Sequence, residues 1–409
     1  MGERMVLCLG IHGLNVRLPL RFPRVAAIGL AILCLCAFEA WGQAPTSPAA
    51  LAAPATLAAQ PAWGQTPLLD LNSKQLQPGQ PFTVALALPW DSGMDTIPDG
   101  TLTPYRAVLV SADGRRLNGA QFFHLGSLAG TSSGEWLVLT AILAVPSTVK
   151  AGTAAVVVET FSPAGQPTAG QTSAGQLSSA QLSPGLAGSY KTLPEDPDRP
   201  ISQSVSILGR DFIREEILLD QANTEIRMVP DPKKTAESEE LWRILSRVRP
   251  MIHDGSAHSL PADTQRRTSF FGDRRIFVYS NGTQDAGIHA GIDFGVPKGS
   301  PVGASAGGRV VLARFRIVTG FTVVVEHLPG VYSSYFHLDS LAVAEGQDVR
   351  KGETIGRSGS TGISTGPHLH WELRVATEIA DPDIFLSQPI LDKQDILSRM
   401  VRTVEQAKR

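Results

Sequence analysis

A chain of 409 residues is long enough for about two or three domains, each with its own core. Its formal net charge of −2 excludes a nucleic-acid binder, which would carry a basic face. Its apolar content is ordinary, which excludes a largely disordered chain.

The N-terminus has the pattern of an export signal. Arg17, Arg21 and Arg24 precede an apolar run from Val25 to Phe38, and small residues Ala40 and Gly42 suit a cut after Gly42. The run is short for a membrane-spanning helix, so residues 1–42 read as a signal peptide and not as a retained anchor. Removing them takes away four Arg and two Glu and leaves a net charge of −4. The three cysteines, Cys8, Cys34 and Cys36, all lie in this segment. Leu precedes both Cys34 and Cys36, where a lipid-anchored cysteine would need a small residue. The exported protein therefore has no thiol, and any metal site in it must use His, Asp or Glu.

Residues 43–66, rich in Ala, Pro, Gln and Thr, read as a flexible leader. Phe82, Val84, Leu86 and Leu88 then alternate as on a half-buried strand, and strand-like runs follow at 105–110, 136–144 and 154–160. Asp113-Gly114 marks a tight turn. Short strands at this spacing predict an immunoglobulin-like β-sandwich over 67–160. Residues 161–200 repeat Ala-Gly-Gln every five residues without apolar anchors, so they read as a linker and not as a solenoid.

Residues 201–263 form a bracing segment with one helix. A strand-like stretch covers 203–219, and Asp231-Pro232 supplies an N-cap and a first-turn proline. Leu241, Trp242, Leu245 and Val248 continue at helical spacing until Pro250. From 264 to 388 the chain is rich in β-runs, such as Phe321-Thr322-Val323-Val324-Val325, and in Gly turns. The tail, 389–409, reads as a C-terminal amphipathic helix from Leu391 to Lys408. The fold class is thus mainly β with few helices.

Five of the nine histidines lie within the 82 residues from His289 to His370. In His289-Ala290-Gly291-Ile292-Asp293 a strand would place His289 and Asp293 on one face, with Gly291 between them leaving room for an ion. In His368-Leu369-His370 the two histidines again share a face. Two such strands offer His, Asp and His to one metal, and three N/O ligands with an open position is the pattern of a catalytic zinc site. One histidine of the 368/370 pair is then spare, as is His337. Such imidazoles suit the base and the oxyanion donor that amide hydrolysis requires. His327, at a strand end, reads as structural.

These segments resemble the lysostaphin/LytM-type zinc metallopeptidases. The His-x-Gly-x-Asp motif is His289 to Asp293. A Gly-x-Pro-Val-x-Ala stretch is Gly299 to Ala304. Tyr335-Phe336-His337-Leu338 matches Tyr-x-His-Leu, and Gly366-Pro367-His368-Leu369-His370-Trp371-Glu372 matches the last motif. The resemblance runs from 286 to 385 and implies a small antiparallel β-sheet crossed by a groove. It implies one Zn2+ per chain held by His289, Asp293 and His370, with His337 and His368 as the catalytic pair. The implied substrate is the stem peptides or cross-bridges of peptidoglycan, cut by an exported enzyme of the periplasm or cell envelope. A membrane would be met only through a retained signal segment.

The rival from another class is a wall-binding protein that activates other hydrolases, itself inactive or autoinhibited. It predicts a broken ligand set, whereas all five positions are intact. A serine hydrolase is disfavoured because Gly356 to Gly362 holds no Gly-x-Ser-x-Gly elbow. Asp293-Phe294-Gly295 lacks the other kinase motifs and reads as chance.

Overall fold

The computed structural model describes residues 8–11, 14–17, 66–90, 97–131, 134–160 and 200–407. The apolar run of the expected signal peptide, the leader up to residue 65 and the linker as far as residue 199 lie outside these residues. The chain divides into two compact units, Met1–Ala59 and Gln60–Arg409. In the first, β1 (Cys8–Ile11) pairs antiparallel with β2 (Leu14–Arg17).

The second unit is mainly β. Its first sheet contains β3 (Leu68–Leu71), β4 (Gln75–Leu76), β5 (Pro81–Trp90), β6 (Leu102–Ser111), β7 (Arg116–Thr131), β8 (Gly134–Ala144), β9 (Gly152–Thr160) and β10 (Ser202–Ile207). Hydrogen bonding joins all eight in one path, β3-β5-β8-β7-β6-β9-β10-β4. This single curled path does not confirm the expected immunoglobulin-like sandwich, and the coarser expectation of a mainly β region holds. The curl follows from the apolar content of both faces of the long strands. Phe82, Val84, Leu86 and Leu88 of β5 close on Leu109, Phe122, Leu137 and Leu139 inside the sheet. Ala85 and Ala87, on the opposite face, are also fully buried, in a second core with Phe123, Trp136 and Val138. β5 is thus buried on both sides, where the alternation suggested one.

A three-stranded sheet follows, made of β11 (Arg214–Leu218), β13 (Arg274–Val278) and β14 (Gln284–Ile288); β12 (Arg267–Ser269) belongs to the last sheet. Between β11 and β12 lie two helices where the sequence suggested one: α1 (Gln221–Met228) and α2 (Pro232–Leu245). Asp231 caps α2 by accepting from Lys233 N–H at 2.8 Å. Leu241, Ile244 and Leu245 of α2 pack on Leu312, Val324 and Tyr332, while Trp242 of the same stripe is exposed.

The last sheet runs β12-β15-β22-β19-β18-β17-β20, with β16, β21 and β23 paired at its margins. Its strands are β15 (Gly291–Phe294), β16 (Pro301–Gly303), β17 (Gly308–Arg316), β18 (Gly320–Leu328), β19 (Val331–Leu341), β20 (Asp348–Val349), β21 (Thr354–Ser358), β22 (Leu369–Val375) and β23 (Glu378–Ala380). All their pairings are antiparallel. Ile292, Phe294, Tyr335, Leu369 and Trp371 point to one side and join the second core, which the first sheet shares. A short α3 (Pro382–Ser387) leads to α4 (Lys393–Gln406), whose Ile396, Met400 and Val404 complete that core. Among the described residues no helix is long and apolar enough to cross a membrane.

Candidate metal centre

Register brings the two sequence-distant motifs together. β15 and β22 pair so that Asp293 stands opposite His370, and β19 places Phe336 opposite His370 on its other side. Since successive side chains alternate, Leu369 and Trp371 enter the core while His370 and Glu372 face the other side of the sheet. His289 lies just before β15, not within it. Its backbone is fixed by the preceding turn: its N–H donates to Asp273 O at 2.9 Å, and its carbonyl accepts from Gly272 N–H at 2.8 Å.

Among the described residues, His289, Asp293 and His370 form a buried group whose ligand atoms all lie within 4.8 Å of one another. His289 Nε2 is 3.0 Å from Asp293 Oδ1 and 3.0 Å from His370 Nδ1, and His370 Nδ1 is 2.8 Å from Asp293 Oδ1. Outer partners set the tautomers. His289 Nδ1 is 2.7 Å from the Phe270 carbonyl, which can only accept, so the proton sits on Nδ1 and the Nε2 lone pair faces inward. His370 Nε2 lies 3.5 Å from Glu372 Oε2, which leaves Nδ1 as its inward atom. Three lone pairs on N, N and O therefore converge on one point away from water. They repel unless a positive charge, a shared proton or a metal ion, sits among them, and this donor set suits zinc.

The electrostatics agree. Burial opposes charge on His370, yet its hydrogen bonds to Asp293 and Glu372 outweigh that cost and lift it to about 9. Burial likewise opposes charge on Asp293, but the close polar contacts of the His289 and His370 imidazoles hold its carboxyl well below the usual range. Glu372, buried beside Arg374 and His370, is held at about 2. The pocket favours positive charge.

His337 and His368 stand beside this group, their rings 4.7 Å apart. Alternation along β19 would turn His337 to the core with Tyr335. Its backbone takes φ 61°, a left-handed conformation rare for a non-glycine residue, and its ring lies beside those of His368 and His370 instead. His337 Nδ1 donates to the Thr361 carbonyl at 2.8 Å, and His368 Nδ1 to the Gly366 carbonyl at 2.8 Å. Both Nε2 atoms are thereby left outside these bonds, with His368 Nε2 3.9 Å from Asp293 Oδ1. Burial, reinforced by the neighbouring His368 and His370, pushes His337 down to about 3, so it is neutral at pH 7.

His327 is elsewhere: fully buried, its ring nitrogens bonded to Gly307 O at 2.8 Å and Ser333 Oγ at 2.7 Å. Gly291 serves packing and not ion clearance, because a Cβ there would meet Trp371 O of the neighbouring strand at 2.1 Å. The sequence reading did not single out Glu372 or Arg275 as supports of the ligands. Glu372 was within reach, two residues beyond His370 on the same strand face. Arg275 carried no local signal.

Residues 287–382 match the model of Peptidase family M23. The chain is similar to the DD-carboxypeptidase/endopeptidase Mpg of Neisseria meningitidis serogroup B, 43% identical over 109 residues, 26% of this chain and 25% of that protein. It is similar to the peptidoglycan DD-endopeptidase ShyA of Vibrio cholerae serotype O1, 41% identical over 116 residues, 28% of this chain and 26% of that protein. Each of these matches spans about a quarter of the relative's length. A crystal structure of a zinc-containing peptidase from Vibrio cholerae is 34% identical with a TM-score of 0.29, covering 32% of this chain and 40% of that one.

Proposed function

We propose that this protein, whose residues 287–382 match the model of Peptidase family M23, is an exported zinc endopeptidase that hydrolyses the peptide cross-links of bacterial peptidoglycan. The observation that carries the reading is the convergence of His289 Nε2, Asp293 Oδ1 and His370 Nδ1, beside two further histidines. The names of the curated relatives support the substrate class. The intact set of five side chains favours an enzyme over a wall-binding activator. Residues 264–388 would be the catalytic part, with the first sheet and the 201–263 segment as its support.

His289 Nε2, Asp293 Oδ1 and His370 Nδ1 would hold the ion. Zn2+, when bound, supplies Lewis acidity that polarises a carbonyl and eases loss of a proton from water. The chain's own residues supply the rest. The Phe270 carbonyl and Glu372 keep the two ligand imidazoles in the tautomer that binds. The groove receives an extended peptide with its scissile carbonyl beside His337 and His368. The Nε2 atom of one of this pair accepts the proton of the attacking water, and the Nε2–H so formed steadies the developing oxyanion and then passes the proton to the leaving amine. Their Nδ1–H bonds to Thr361 and Gly366 hold each ring in place through these transfers.

The test separates holding the metal from moving protons. His370→Ala loses both zinc and hydrolysis of cross-linked stem peptides. His368→Ala retains most of the zinc, measured by elemental analysis, and loses hydrolysis by about 100-fold or more. Full activity of His368→Ala would contradict the assignment.

A further inference from the structure

The two oxygens of Asp293 face different partners. Oδ1 is turned to the imidazoles, whereas Oδ2 accepts from Arg275 Nη2 at 2.8 Å. Arg275 lies on β13, upstream of the family-matched stretch. Its guanidinium is held from two other strands. Nε donates to Glu215 Oε1 of β11 at 2.6 Å, and Nη2 also reaches Ser269 Oγ of β12 at 2.7 Å. Ser269 Oγ lies in turn 2.8 Å from the same Glu215 oxygen, and Glu215 and Arg275 stand opposite each other in the parallel β11–β13 pair. A planar guanidinium gripped through both Nε and Nη2 has one orientation left, and here it aims the second Nη2 hydrogen at Asp293 Oδ2.

A carboxylate can give a metal one oxygen or two. With Oδ2 engaged by a fixed cationic donor, only Oδ1 is free to bind. We infer that Arg275, locked by Glu215 and Ser269, is a positioning residue that holds Asp293 to one-oxygen ligation and so keeps coordination positions free for water and the scissile carbonyl. This rests on the metal site proposed above. It makes β11 and β13, outside the family-matched stretch, part of the metal centre's support.

The experiment uses the full chain as wild type, Arg275→Met, Arg275→Lys and His370→Ala. Zn2+ affinity is measured by competition with a chromophoric chelator, and the visible spectrum of the Co2+-substituted protein reports coordination number through its intensity. Lys keeps a charge near Glu215 but cannot donate to Glu215, Ser269 and Asp293 from one planar fork. Both Arg275 variants are expected to bind Zn2+ about 10–100-fold more weakly, with a weaker cobalt band as Asp293 turns both oxygens to the ion. An affinity within about twofold of wild type, or an unaltered cobalt spectrum, overturns the inference. Should Arg275→Met fail to melt cooperatively, Arg275→Lys decides by the same criteria. His370→Ala separates the two readings. If it binds Zn2+ as tightly as wild type, the proposed metal site itself fails. If it loses Zn2+ while the Arg275 variants do not, only the role of Arg275 fails.

Discussion

Two residues show how tightly the backbone around the site is constrained. His337 adopts a left-handed φ of 61°, and this brings its ring beside His368 instead of into the core. Gly291 lets β15 approach β22, and the strand pair it permits sets Asp293 opposite His370. Gly291→Ala would drive a methyl group into the Trp371 carbonyl, so the two strands must separate. The expected cost is ~3 kcal/mol or more, near the upper end for overpacking, read as a lowered denaturant midpoint. Zinc affinity should fall with it, because the same strand pair carries two of the three ligand residues. At this scale the sequence was informative where chemistry is local. His289 with Asp293, and His368 with His370, sit within five residues of each other, so strand periodicity alone grouped them. The turn of His337 was not legible, since alternation predicts the opposite face. Arg275 was not legible either, because its value to Asp293 depends on how three strands distant in sequence meet.

Among the elements, local signals succeeded where the determinant is a cap and failed where it is tertiary. Asp231-Pro232 announced α2. No apolar stripe announced α1, whose sequence is largely polar. It is held by its Asp220 cap and by the Asn223 carboxamide, which bonds both the N–H and the carbonyl of Ser364, at 3.1 and 3.2 Å. β5 was read as half-buried because small Ala85 and Ala87 do not look like core residues until a second layer covers them. His327 ties three elements, joining β18 to the turn before β17 and to β19. Burial pushes it down to about 4 from its ordinary 6.5. As pH falls below 6.5 the unfolded chain takes up this proton first. The contribution of neutral His327 is therefore complete above 6.5 and is lost progressively down to 4. The loss is ~3 kcal/mol. Thermal melts of the metal-free protein should show stability falling across that window, with a shallower slope for His327→Gln. Equal slopes would place the sensitivity elsewhere.

For the molecule as a whole, the reading of a mainly β chain with few helices holds, while the immunoglobulin-like sandwich is not confirmed. The eight strands of the first sheet form one curled path, and the outer face of that sheet shares a core with the last sheet and α4. Ala85, Phe123 and Trp136 from one sheet and Ile292, Phe294 and Trp371 from the other belong to the same buried cluster. Such sharing is invisible to strand counting, because periodicity tells which face is apolar and not what covers it. It means the site is held in place by the whole second unit, so the decisive test uses the chain from residue 43 onward, without the expected signal peptide. Purified protein is incubated with cross-linked peptidoglycan, with a zinc chelator, and with chelator followed by excess Zn2+, and the products are identified by mass spectrometry. The account predicts new peptide ends that vanish with the chelator and return with Zn2+. Intact cross-links in a sample shown to contain zinc would contradict it.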